Sequence, residues 1–81
     1  MAKPKITLGF RVLNALAYAG LNPRSVDTLA RELGTNHRTV LGHLRQLEWA
    51  GFARETPAGQ WEIGPVIYRA VRKLEEDRRN G

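Results

Sequence analysis

Apolar residues recur at helical spacing in the first stretch of the chain, from about Thr7 to Ala19. Two apolar stripes run side by side along this predicted helix. One stripe comprises Ile6, Phe10, Leu13, Leu16 and Ala17, and the other comprises Leu8, Val12, Ala15 and Ala19. A surface helix of a monomer usually has a single stripe. We therefore expect this helix to be buried on two sides, by the domain core and by a second surface.

Two further helices follow in close succession. Ser25 predicts the start of the second helix, because its hydroxyl can accept a backbone N–H of the first turn, and Gly34 predicts its end. The third helix starts with Thr35 or Asn36 as its cap and runs to about Ala50. Two helices joined by a turn of three or four residues that contains Gly are typical of a helix-turn-helix.

The polar and apolar pattern then changes from a helical to an alternating period. Residues 52–55 and 60–63 alternate as half-buried strands do, and the Thr-Pro-Ala-Gly segment between them is typical of a turn. Pro65 suits the first position of a last helix, whose apolar residues end at Leu74. The sequence predicts a mainly α fold with a two-stranded β-hairpin, in the order helix, helix, helix, hairpin, helix.

The length of 81 residues allows one small domain. We divide it into a basic N-terminal arm at 1–6 with Lys3 and Lys5, a domain at 7–74, and a charged tail at 75–81 that we expect to fray. The absence of cysteine excludes disulfides and thiolate metal sites. No apolar run approaches the length of about 20 residues that spans a bilayer, so we expect a cytoplasmic protein without a membrane partner.

The charge balance points to a polyanionic partner, since thirteen Lys and Arg oppose eight Asp and Glu and leave a net charge of +5. The third helix turns Val40 and Leu44 one way and a basic, polar face the other way. Arg can pair bidentately with guanine and Gln with adenine in the DNA major groove. The residues predicted to contact the groove are Arg38, Thr39, His43, Arg45 and Gln46, and Asn36 and Gly42 are predicted to lie at the DNA surface as well.

Four other residues are predicted to hold DNA phosphates. Arg24 and Ser25 stand at the start of the second helix, where backbone N–H groups also favour anions. Arg54 and Thr56 belong to the hairpin. The tip of the hairpin has no charge, so we do not expect an arginine to enter the minor groove there.

Several residues have two interpretations. Gly42 is either a weak point of the helix or a place where DNA approaches closely. We expect Trp49 to pack under the hairpin or against the last helix, with a protein contact as the alternative. We expect Trp61 to pack in the core or in the hairpin. His37 and His43 are six residues apart, which is not a ligand spacing on one helix face, so we expect surface or packing histidines. We find no catalytic set, metal site, cofactor or small-molecule site, and we do not expect an enzyme.

Three segments together resemble a known family. They are Ser25–Gly34, Arg38–Val40 with the later Leu-Glu and Gly-Phe pairs, and Trp61–Pro65. They resemble winged helix-turn-helix regulators of bacteria, most closely the DNA-binding domain of the IclR type, while ArsR-type and MarR-type domains share much of the pattern. The resemblance covers roughly residues 8–72. It implies a recognition helix at about 36–50 in the major groove and a wing at 52–63 on the DNA backbone.

We therefore predict a small bacterial or phage regulator of transcription that binds double-stranded DNA sequence-specifically. The second stripe of the first helix and the apolar side of the last helix predict a homodimer through these two helices. IclR-type regulators have a separate ligand-binding domain that is absent from these 81 residues, so we expect either a domain cut from a longer protein or a stand-alone small regulator. The alternative function is a winged-helix module that docks onto proteins in a larger complex. The basic face of the third helix favours DNA, because a docking surface should be apolar.

Overall fold

The computed structural model describes residues 6–80. Its elements confirm the predicted order of three helices, a hairpin and a last helix. They are α1 (Leu8–Ala19), α2 (Val26–Leu33), α3 (His37–Trp49), β1 (Ala53–Glu55), β2 (Trp61–Ile63) and α4 (Pro65–Asn80).

The joint between α2 and α3 is defined by local capping. The Ser25 hydroxyl accepts the backbone N–H of Thr28 at 3.1 Å, as the sequence predicted. Gly34 adopts the left-handed conformation with φ 68°, which ends α2 without the steric cost that a side chain would bring. Asn36 then caps α3, since its side-chain oxygen accepts the N–H of Thr39 at 2.9 Å. These short-range bonds set the turn of the helix-turn-helix.

β1 and β2 form the predicted antiparallel hairpin, with Ala53 opposite Ile63 and Glu55 opposite Trp61. In the turn, the Thr56 carbonyl accepts the N–H of Gly59 at 2.9 Å. The hairpin also pairs with a residue that the sequence did not predict to be extended. The backbone of Arg24 exchanges two hydrogen bonds with that of Trp61, at 2.8 and 2.7 Å. The segment before α2 is thus attached to the hairpin.

The core lies where α1, α2, α3 and the hairpin meet. Trp61 lies there with no exposed surface, which confirms its predicted place. The other fully buried large side chains are Leu16, Leu29, Leu44, Val12 and Val40. The indole Nε1 of Trp61 is buried and has no hydrogen-bond partner in the described part of the chain. The ring therefore contributes to the core through packing and not through a hydrogen bond.

The buried and exposed sides of α1 do not coincide with its two predicted stripes. Leu16 of the first stripe and Val12 of the second are both buried in the core, whereas Phe10, also of the first stripe, is 67% exposed. Leu13 is half-buried and lines a small apolar depression with Phe52. Within residues 6–80 only one side of α1 is fully covered, and burial of the second side stays a prediction.

α4 continues to Asn80, beyond Leu74, where the sequence suggested that order would decrease. Lys73 and Asp77 form an ion pair across one of its turns at 3.2 Å. None of its residues is buried, and Val71 and Leu74 expose 48% and 60% of their surface. The division of the chain into arm, domain and tail stays a prediction, and Lys3 and Lys5 lie outside the described residues.

The expected packing of Trp49 is wrong, because its side chain is 91% exposed. The reason is its angular position on α3. Nine residues separate it from buried Val40, which is about two and a half helical turns. Trp49 therefore lies on the opposite side of α3 from the core.

The burial of Trp61 generates the first prediction. Replacing Trp61 with Ala removes the largest core side chain, and such changes cost about 3–5 kcal/mol. Because a small domain has a total stability of about 5 kcal/mol, we expect the variant to be largely unfolded. Urea denaturation followed by circular dichroism measures the effect. Trp49→Ala is the matched control, and it should leave the midpoint unchanged. A native-like midpoint for Trp61→Ala would contradict the assigned core.

Candidate nucleic-acid interface

The outward face of α3 carries most of the residues that the sequence predicted to contact DNA. The N-terminal two-thirds of this face forms a shallow, open depression, called here the α3 hollow. It brings together five of the predicted residues: Arg38, Thr39, Gly42, His43 and Gln46. On the other side of the helix, Val40 and Leu44 are fully buried and fix its orientation.

Gly42 lies in the α3 hollow with open space above it. A Cβ at this position would meet no atom within 4 Å. No contact within residues 6–80 therefore requires a glycine at this position, and close approach of DNA there stays a prediction.

His43 occupies a more constrained position than the sequence suggested. Its side chain is half-buried against α1, where a Cβ on Gly9 would lie 3.3 Å from the His43 Nδ1 atom. Gly9 was not among the predicted functional residues, although a glycine inside a helical pattern is a signal of close packing. Gly9 thus lets the histidine ring lie close to α1 while still lining the α3 hollow.

The predicted DNA-contacting arginines differ in whether they form an ion pair with a carboxylate. Arg24 pairs with Glu32, and Arg54 pairs with Glu62, whose side chain is only 10% exposed. Arg38 differs, since no carboxylate of residues 6–80 lies within 4.0 Å of its guanidinium. Within residues 6–80, Arg38 at the start of α3 is therefore the predicted DNA-contacting arginine that forms no ion pair.

Arg45 connects α3 to the wing. Its Nη1 atom lies 3.2 Å from Glu48 and 3.1 Å from Glu55 of β1, and its guanidinium is 5.2 Å from the centre of the Trp61 ring. Hydrogen bonds to Glu48 and Glu55 raise the pKa of Arg45 above its usual value. The sequence predicted a base contact for this residue. That contact would require both ion pairs to open, and it stays a prediction.

The other predicted phosphate contacts have local hydrogen-bonding roles. The Ser25 hydroxyl donates to the Thr28 hydroxyl at 2.8 Å, in addition to capping α2. The Thr56 hydroxyl accepts the backbone N–H of Gln60 at 3.2 Å and thereby closes the hairpin turn. Arg54 remains accessible, because 63% of its side chain is exposed despite the ion pair. Their contacts with phosphate stay predictions.

His37 has a partner that the sequence analysis missed. Its Nδ1 atom is 2.7 Å from the Asp27 carboxylate, with both side chains largely exposed. In residues 6–80, no group of three or more His, Asp or Glu residues is placed to hold a metal ion. Over the same range, no helix has both the length and the apolar character needed to cross a membrane.

The family comparison decides the fold family. A family model described as the DprA winged helix domain matches residues 10–59. The chain belongs to this winged-helix family. The matched region contains α1 from Phe10 onward, the helix-turn-helix and β1 with the hairpin turn.

Solved structures contain the same winged-helix fold. HmgR of Pseudomonas aeruginosa superposes with a TM-score of 0.71 at 26% identity, over 78% of this chain and 27% of HmgR. IdeR of T. acidophilum gives a TM-score of 0.62 at 12% identity, over 79% of this chain and 30% of IdeR. The chain thus spans less than a third of the length of either protein. No curated protein matches, and the IclR-type assignment of the winged helix stays a prediction.

The open space at Gly42 generates the second prediction. Gly42→Ala should stabilise the winged helix by about 0.5–1 kcal/mol, because alanine restricts the unfolded chain and fits an interior helical position. Urea denaturation measures this difference. Gly34→Ala is the control, and it should destabilise the domain, because the φ of 68° disfavours a side chain. A loss of stability in Gly42→Ala would show that the protein itself requires the glycine.

Proposed function

We propose that this winged helix binds double-stranded DNA sequence-specifically and controls transcription. The observation that carries the proposal is the anchored α3 with its exposed α3 hollow. A helix in the major groove must present donors and acceptors outward while its other side is held by the core. Arg38, Thr39 and Gln46 are exposed in this way, and Val40 and Leu44 supply the anchor.

The charge and shape of the α3 hollow support the same function. The net charge of +5 favours association with a polyanion. Arg38 is accessible for a bidentate contact with guanine, and Gln46 can pair with adenine. The open space at Gly42 allows the base edges or the sugar–phosphate chain to come close to the helix backbone. If DNA is its partner, the protein would lie in the cytoplasm, at the nucleoid.

Arg38→Ala tests the proposed role of α3. We expect a loss of about 1–3 kcal/mol in binding to the preferred duplex, with relaxed selectivity at one base position. The preferred duplex is first selected from a random library, and fluorescence anisotropy then gives the affinity. The matched control is Arg78→Ala near the end of α4, which lowers the net charge by the same amount.

The two variants distinguish base recognition from general attraction. Equal losses of affinity in both variants would show that Arg38 contributes only through the overall charge. Unchanged affinity in Arg38→Ala would refute its role, and failure of the wild-type protein to bind any duplex at low salt would refute the proposed function.

A homodimer is the second part of the proposal. Phe10 on α1 and Val71 and Leu74 on α4 expose apolar surface that nothing in residues 6–80 covers. A second copy could bury both surfaces about a two-fold axis. The DNA site would then consist of two inverted half-sites, about 34–36 Å apart for one helical turn.

Leu74→Glu tests the dimer, because a carboxylate on the apolar side of α4 would be desolvated in the interface. We expect the wild-type protein to sediment as a dimer at tens of micromolar and the variant as a monomer. Arg69→Gln, on the polar side of the same helix, changes the net charge by the same amount and should remain dimeric. A monomeric wild-type protein, with and without DNA, would refute this part of the proposal.

The second candidate function is a module that docks onto another protein. The same exposed residues on α1 and α4 favour it, since exposed apolar surface marks interaction sites. If the protein binds duplex DNA at low salt and this binding depends on Arg38, the DNA-binding function is favoured over protein docking.

A further inference from the structure

The exposed tryptophan at the end of α3 lies on the same helix face as the α3 hollow. Trp49 is seven residues beyond Gly42 and eleven beyond Arg38, which are about two and three full turns. Its side chain is 91% exposed, so no part of the described chain accounts for this large apolar ring. The geometry points to Trp49 as a contact to the DNA backbone at the edge of the groove that α3 enters.

The length of α3 determines which part of the DNA the ring would meet. The rise of 1.5 Å per residue places Trp49 about 16 Å from Arg38 along the axis. The major groove is about 12 Å wide. When the Arg38 end of α3 lies among the base edges, Trp49 reaches the sugar–phosphate strand that borders the groove. There the ring packs on deoxyribose and the indole N–H donates to a phosphate oxygen.

The residues around Trp49 favour nucleic acid over a protein partner. Its helical neighbours one and two turns back are Gln46, Arg45 and Gly42, which offer no apolar surface. A protein hot spot normally has apolar contacts around it that exclude water. Glu48 is adjacent in sequence but about 100° away around the helix. Its carboxylate accepts a hydrogen bond from Arg45, whose position lies between Glu48 and Trp49.

This inference rests on the proposed function, and fluorescence provides a direct measurement. The chain has two tryptophans, of which Trp61 is fully buried and Trp49 is exposed. Random-sequence duplex DNA added at low salt should change the emission of the wild-type protein. The Trp49→Phe variant, which retains only the buried Trp61, should show no such change.

Affinity measurements complete the test. We expect Trp49→Ala to bind about tenfold more weakly to the selected and the random duplex alike, as for the loss of a hydrogen bond to a charged group. The slope of log affinity against log salt should stay unchanged, because no cation is lost. Trp49→Phe should recover part of the affinity. Tyr18→Ala removes an 89% exposed aromatic from α1 and should bind like the wild type.

The outcomes separate this inference from the proposed function. Duplex binding by the wild type with equal affinity in Trp49→Ala would overturn the Trp49 contact and leave the proposed function standing. A loss confined to one base position of the selected site would also overturn it, since a backbone contact acts on all sequences. A wild-type protein that binds no duplex would overturn both.

Discussion

The burial of Trp61 is the constraint on which the rest of this winged helix depends. Its side chain fills the core, and its backbone pairs with Glu55 in β1 and with Arg24 before α2. The guanidinium of Arg45 lies over the face of its ring. One residue therefore links the hairpin, the start of the helix-turn-helix and α3. These contacts help to hold the wing in place relative to α3, and a groove-binding function would depend on that arrangement.

The ion pairs around the proposed interface make its available charge smaller than its formal charge. Arg24, Arg45 and Arg54 each have a carboxylate in contact, and a phosphate would have to replace that carboxylate. Such an exchange gains little, because surface pairs contribute about 0–1 kcal/mol and the displaced carboxylate repels the DNA. Arg38 has no such competitor within residues 6–80. In the proposed complex, attraction to arbitrary DNA would be weakened in this way, while a base contact by Arg38 would keep its full effect.

Local signals in the sequence were sufficient for the elements and insufficient for the side-chain pairs. Ser25, Gly34 and Asn36 fix helix ends through bonds to residues three or four positions away, so sequence spacing predicts them. The bridge between Arg24 and Trp61 joins residues far apart in the chain, and only the folded arrangement reveals it. Trp49 is a different case. Its half-turn offset from Val40 is evident in the sequence, but whether the hairpin or α4 covers that side of α3 depends on the tertiary arrangement.

The uncovered sides of α1 and α4 connect stability with assembly. A domain of this size buries only about 60–65% of the surface of its unfolded chain, so its own core provides limited stability. Burial of Phe10, Val71 and Leu74 by a second copy would add apolar contacts to those of the domain's own core. Stability would then rise with protein concentration, and a duplex with two half-sites would raise it further, because both bind only the folded form. In this arrangement folding, dimerisation and DNA binding are coupled equilibria, and a weak core would favour assembly on the correct site.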